Sequence, residues 1–176
     1  MLRSRLIGSR TRFVMLLLGA FLAGAGRVGS AQGTSASPVK SPDVPAVLAV
    51  VQQLFDAMRA KDTAAFRAVF EPGARLTGIR TRPSGEVVLQ VLPWEQFAMR
   101  ALSDTRGEWL ERAWSPEVRV RGTLATVWAE YDFHLGGKPT HCGVDAVQLL
   151  KTAAGWKIVA IADTYEATGC PQRPAP

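Results

Sequence analysis

The chain has 176 residues, of which 47% are hydrophobic and 20% charged, with a formal net charge of +6 and two cysteines. That length suits one domain with a real core and excludes two comfortable ones. Five arginines and no acids lie in the first 31 residues, so the remainder carries 16 basic against 15 acidic groups, a balance of +1 that leaves no basic stripe for nucleic acid and no single-sign field for a membrane surface.

Arg3, Arg5, Arg10 and Arg12 precede an uncharged apolar run from Phe13 to Ala25, and Gly29-Ser30-Ala31 supplies small residues for cleavage. This is the pattern of a secretory signal peptide over residues 1–31, cleaved near Ala31. The rival is an uncleaved anchor, but Arg27 interrupts the run before it reaches spanning length. No Cys follows the run to accept a lipid. The expected location is the bacterial periplasm or the extracellular space, with no stable membrane association after cleavage. Residues 32–45 are rich in Ser, Pro and Gly and read as a flexible leader.

The folded domain is expected over residues 46–170, with a short tail at 171–176. Val47, Leu48, Val51, Leu54, Phe55 and Met58 make one apolar stripe of a helix that ends near Lys61. Asp62 caps a short second helix, Thr63 to Phe70, and Glu71-Pro72-Gly73 ends it. Arg75–Thr81 and Glu86–Leu92 read as a hairpin about Pro83-Ser84-Gly85. Its Arg75, Arg80 and Arg82 are expected to guard a solvated edge. Pro93 opens a third helix, Trp94 to Ser103. Trp109–Arg121 reads as a long strand bent or bulged at Ser115-Pro116, since Pro has no N–H to donate.

Three further strands follow: Leu124–Leu135, His141–Lys151 and Trp156–Tyr165. Their Val, Trp, Tyr, Phe and Ile suit half-buried pleated surfaces, and Gly136-Gly137-Lys138-Pro139 and Ala153-Ala154-Gly155 suit the connections. The fold class is α+β: three helices on a strongly bent, mainly antiparallel sheet of about six strands.

Side chains alternate along a strand, so a register predicts which of them share a face. A four-residue loop at 136–139 pairs His134 with His141, Asp132 with Gly143, Glu130 with Asp145 and Trp128 with Val147. A three-residue loop at 153–155 pairs Asp145 with Asp163, Val147 with Ile161 and Gly143 with Tyr165. One face then starts apolar at Trp128 and ends in Glu130, Asp132, His134, His141, Asp145, Asp163 and Tyr165. A face that begins as core and ends in acids and imidazoles suits the wall of a one-ended cavity. Three carboxylates in a row, about 4.8 Å from strand to strand, repel one another, so either an Arg intrudes, or one acid is kept protonated, or the row partly faces water.

Cys142 and Cys170, an even pair in an exported chain, are expected to form a disulfide, with Cys142 opposite Glu166 and the tail curling back. Two widely spaced Cys and two His make no zinc pattern, and there is no P-loop, dinucleotide fingerprint or nucleophile elbow. No cofactor or metal is expected.

Val50-Val51-Gln52-Gln53-Leu54-Phe55-Asp56-Ala57-Met58 with Lys61-Asp62, and the turn Phe70-Glu71-Pro72-Gly73-Ala74, resemble the start of nuclear-transport-factor-2-like proteins. Asp132–Lys138, His141–Ala146 and Gly155-Trp156-Lys157-Ile158 resemble the closing strands of a bacterial SnoaL-like or lumazine-binding subgroup. The likeness spans about Ala46 to Cys170. It implies a cone-shaped α+β roll, often dimeric through the sheet, with a pocket between sheet and helices. Isomerases, dehydratases, an epoxide hydrolase and cyclases share that superfamily, but the catalytic sets of the isomerases and the epoxide hydrolase find no position-by-position match here.

Three functions remain. The first is a binding protein for a small, partly apolar molecule, contacted by Trp128, Glu130, Asp132, His141, Asp145, Asp163 and Tyr165. The second is a cofactor-independent proton-transfer enzyme with Asp145 or His141 as base and Tyr165 as hydrogen-bond donor. The third is an interaction or dimer module.

Overall fold

The computed structural model describes residues 41–174. The signal-peptide segment and most of the leader lie outside the described residues. Helix α1 (Val44–Ala60) buries Val47, Val50, Val51, Leu54, Phe55, Ala57 and Met58 along one face, and Lys61 ends it in the left-handed region. Helix α2 (Thr63–Val69) is capped by Asp62, whose carboxylate accepts from the backbone N–H groups of Ala64 and Ala65. Helix α3 (Trp94–Ser103) follows Pro93 and buries Trp94, Ala98 and Ala101.

Six strands make one mixed sheet: β1 (Phe70–Thr81), β2 (Val87–Pro93), β3 (Trp109–Arg121), β4 (Leu124–Leu135), β5 (Lys138–Thr152) and β6 (Gly155–Tyr165). Their order across the sheet is β2-β1-β6-β5-β4-β3. All pairs are antiparallel except β1 with β6, which run parallel because the chain crosses between them through α3 and β3–β5. The helices bury their stripes against one face of this sheet, which is not closed into a barrel. The bulge expected at Ser115-Pro116 is present, with Ser115 at φ 50. Strand β1 begins at Phe70, not Arg75: an irregularity with Gly73 at φ 83 absorbs Glu71-Pro72-Gly73 into the strand rather than ending the helix in a loop.

The β4–β5 register differs from expectation by one residue. Gly136 and Gly137 both have positive φ, so they alone form a two-residue connection, and Leu135 pairs with Lys138. A bulge at Thr140, whose hydroxyl donates to the Phe133 carbonyl, then brings Phe133 opposite His141, Tyr131 opposite Gly143 and Ala129 opposite Asp145. A slip of one residue exchanges the faces of the whole strand. Trp128, Glu130, Asp132 and His134 therefore lie on the sheet face away from the helices, and Trp128 is 54% exposed. Between β5 and β6 the turn is again two residues, with Thr152 opposite Gly155, but a bulge after Gln148 offsets it. The expected pairs Asp145 with Asp163 and Val147 with Ile161 are thus met.

Cys142 and Cys170 form the disulfide, with a Cα–Cα distance of 5.6 Å. Cys142 and Glu166 make an isolated bridge there, so the tail is fastened to the outer side of β5.

Candidate functional site

A cavity of about 480 Å³ lies between the inner face of the sheet and the helices. Leu54, Phe55 and Met58 of α1 and Phe97 of α3 supply its apolar side. The sheet supplies Trp109, Tyr131, Phe133, Val147 and Ile161, and three acids from three strands: Glu111 of β3, Asp145 of β5 and Asp163 of β6. Arg80 of β1 and Arg100 of α3 are exposed side chains at the cavity's edge. Of the residues singled out in the sequence, His141, Asp145, Asp163 and Tyr165 line this space. Trp128, Glu130 and Asp132 do not, because the β4 register turns them outward.

Those outward groups have partners of their own. Arg112 donates to both carboxylate oxygens of Asp132 and contacts His134 Nε2 at 2.9 Å. Burial works against the Asp132 charge, yet the guanidinium holds its carboxyl below the usual range. Trp114 Nε1 donates to Glu130 at 2.6 Å. This is a self-satisfied polar network rather than a pocket wall.

Two arrangements shape the inner face. Tyr131 crosses β5 above Gly143, and its hydroxyl donates to the Thr164 carbonyl at 2.7 Å, while Thr164 Oγ1 accepts from Val144 N at 3.0 Å. The β5–β6 ladder is interrupted there and closed through side chains instead. Phe133, His141 and Tyr165 stack in sequence, at centroid distances of 4.9 and 4.0 Å, and the Arg80 guanidinium covers the Tyr165 ring at 4.0 Å. The stack makes a flat aromatic wall beside the acids.

A family model described as the SnoaL-like domain matches residues 47–162. The chain belongs to this family. No curated protein matches it. Solved structures share the fold at low identity. A nuclear-transport-factor-2-like protein of unknown function from Shewanella baltica is 16% identical over 75% of this chain and 100% of its own, with a TM-score of 0.55. A protein of unknown function with a cystatin-like fold from Nostoc punctiforme is 11% identical over 74% and 96%, with a TM-score of 0.58. A nuclear-transport-factor-2-like superfamily protein from Salmonella enterica is 16% identical over 69% and 89%, with a TM-score of 0.54.

The electrostatics of this SnoaL-like cavity follow from where its acids sit. Asp145 is 5% exposed, and among the described residues no donor reaches its Oδ2. Burial pushes its carboxyl up to about 7, against a hydrogen bond from Glu111 that pulls it down, with the charge of Asp163 adding to the rise. Asp163 is raised by burial to about 6, with Arg80 pulling the other way. Glu111 is raised well above its ordinary value by burial and by the adjacent Asp145, within hydrogen-bonding reach. Two such carboxyls hold one proton between them near neutrality, because both cannot ionise side by side. His141 is pushed down to about 4 by burial and by Arg80, so it is a neutral imidazole, with Nδ1 2.8 Å from the Thr140 hydroxyl. Among the described residues no cluster of three or more His, Cys, Asp or Glu is set to hold a metal ion.

Glu111 went unnoticed in the sequence. The segment Trp109-Leu110-Glu111-Arg112-Ala113-Trp114 is apolar at both parities, so alternation alone does not say which side faces the core. Only its pairing with Phe133 turns Glu111 inward.

Proposed function

We propose that this chain is an exported SnoaL-like binding protein that holds a small, partly apolar molecule between the sheet and the helices. The observation that carries the reading is Asp145: a carboxyl buried at the wall of a cavity of about 480 Å³, with one oxygen that no donor among the described residues satisfies. Burying such a group without a partner costs about 1–3 kcal/mol, which a bound molecule with a donor recovers. The aromatic stack of Phe133, His141 and Tyr165 and the apolar side chains of α1 suit the rest of that molecule. The test is thermal unfolding against a broad metabolite panel. At least one member should raise the midpoint of the wild type and not of Asp145→Ala, and a panel without effect on the wild type contradicts the reading.

A second reading has its own support. The Glu111–Asp145 pair, sharing a proton at the wall of a partly apolar cavity, is equipped for proton transfer in an isomerase-, dehydratase- or cyclase-type reaction. Asp145 is then the base. His141, held neutral and packed in the stack, is a weaker base than its ordinary pKa suggests, and Tyr165 remains the hydrogen-bond donor.

A further inference from the structure

Three acids line the cavity, and of the cations around it Arg80 acts on Asp163. None of the ion pairs among the described residues includes Glu111, Asp145 or Asp163. The other titratable groups lining this cavity are Tyr131 of β4, His141 of β5, Tyr165 of β6, Arg80 of β1, Arg100 of α3 and Arg106 of the following loop; α1 contributes only Leu54, Phe55 and Met58. Apart from Arg100, each has a partner among the described residues. The Tyr131 hydroxyl donates to Thr164 O, His141 is stacked, Arg80 lies over Tyr165, and Arg106 is paired with Asp104. Asp145 and Glu111 lie within hydrogen-bonding reach of each other, a contact filled by one shared proton whose place a protonated amine can take.

We propose that the cavity receives an aromatic ligand bearing a protonated amine, its ammonium seated among Glu111, Asp145 and Asp163 and an anionic group of the same ligand reaching Arg80 and Arg100 at the mouth. The inference rests on the ligand-binding reading above and names its ligand class. An ammonium offers three donors, one of them to Asp145 Oδ2, which no donor among the described residues serves, in a site where charge-assisted bonds are strong. Its ring meets the wall formed by Phe133, His141 and Tyr165. Arg100 has no ion pair among the described residues and is free to take an anion. The ammonium replaces the proton held by the acid pair, so binding releases a proton and strengthens as pH rises through the range where the acids titrate.

Calorimetry on the full chain tests this with para-aminomethylbenzoate and para-hydroxymethylbenzoate, which share ring and carboxylate and differ only in the inner group. The amine should bind at least about tenfold tighter at about pH 8, and the advantage should shrink at about pH 5. Titration in two buffers of different ionisation heat should show close to one proton released with the amine and none with the alcohol. Asp145→Asn should cost the amine far more affinity than the alcohol, and Asp163→Asn, in case the first variant folds poorly, should act in the same direction. An alcohol that binds as tightly as the amine, an amine that binds without releasing a proton, or a preference that survives both variants overturns the proposal. If neither compound binds, the proposal also falls. Uptake of the apolar dye anilinonaphthalene sulfonate, quenched by cavity variants, would then leave the binding reading standing, and its exclusion would remove both.

Discussion

Asp145 and Asp163 face each other across β5 and β6, and their titration should be visible in the stability of the protein. Both carboxyls have folded-state pKa values raised by burial, to about 7 and about 6. As pH rises past the ordinary carboxylate value, the unfolded chain ionises freely while the folded chain keeps its protons. Stability is therefore lost from about pH 4 up to about pH 7 and is flat above. His141 has the opposite sign: held neutral down to about 4, it favours the folded state above its ordinary pKa and gives that up as pH falls. Asp145→Asn should abolish part of the decline and raise stability at about pH 8 by about 1–4 kcal/mol, while changing little at about pH 4. Urea unfolding at the two pH values checks this, and a variant that loses stability at the higher pH contradicts it.

At the scale of the elements, β5 and β6 are joined through an unusual seam. A Cβ on Gly143 would lie 2.0 Å from the Thr164 carbonyl oxygen, so the strands must part for any larger residue. Gly143→Ala should cost about 2–4 kcal/mol in chemical denaturation, more than a surface substitution does. The disulfide fastens the tail just beyond this seam, over a separation of 28 residues. Its reduction should lower stability by about 3 kcal/mol, measured as the difference between unfolding with and without reductant. Helices and strands were legible in the sequence because their stripes are strongly periodic, and the Ser115-Pro116 bulge because Pro lacks an N–H. The β4–β5 register was not. A Gly-Gly turn and a one-residue bulge at Thr140 shift the pairing by one, and no local signal at Thr140 announces it. That shift exchanged Glu130 for Glu111 in the acid cluster. Between β5 and β6 a shorter turn and a bulge offset each other, so Asp145 and Asp163 were found despite the wrong loop.

For the whole molecule, the outer face of the sheet stands apart from the rest of the surface. Val87, Leu89 and Val91 on the edge strand β2 are 60%, 61% and 52% exposed, and Trp128 lies on the same face. A second copy docked there would cover apolar side chains that a lone domain leaves in water. Light scattering at high concentration should give twice the monomer mass, and Leu89→Lys should return it to a monomer; a wild type that stays monomeric contradicts the dimer. The inner face answers to a different demand, because its acids line a cavity. The most direct test is native mass spectrometry of the protein purified from its own host, beside Asp145→Ala prepared identically. The wild type should carry the extra mass of one small molecule and the variant should not. A wild type that arrives empty, or a variant that keeps the same mass, contradicts the account.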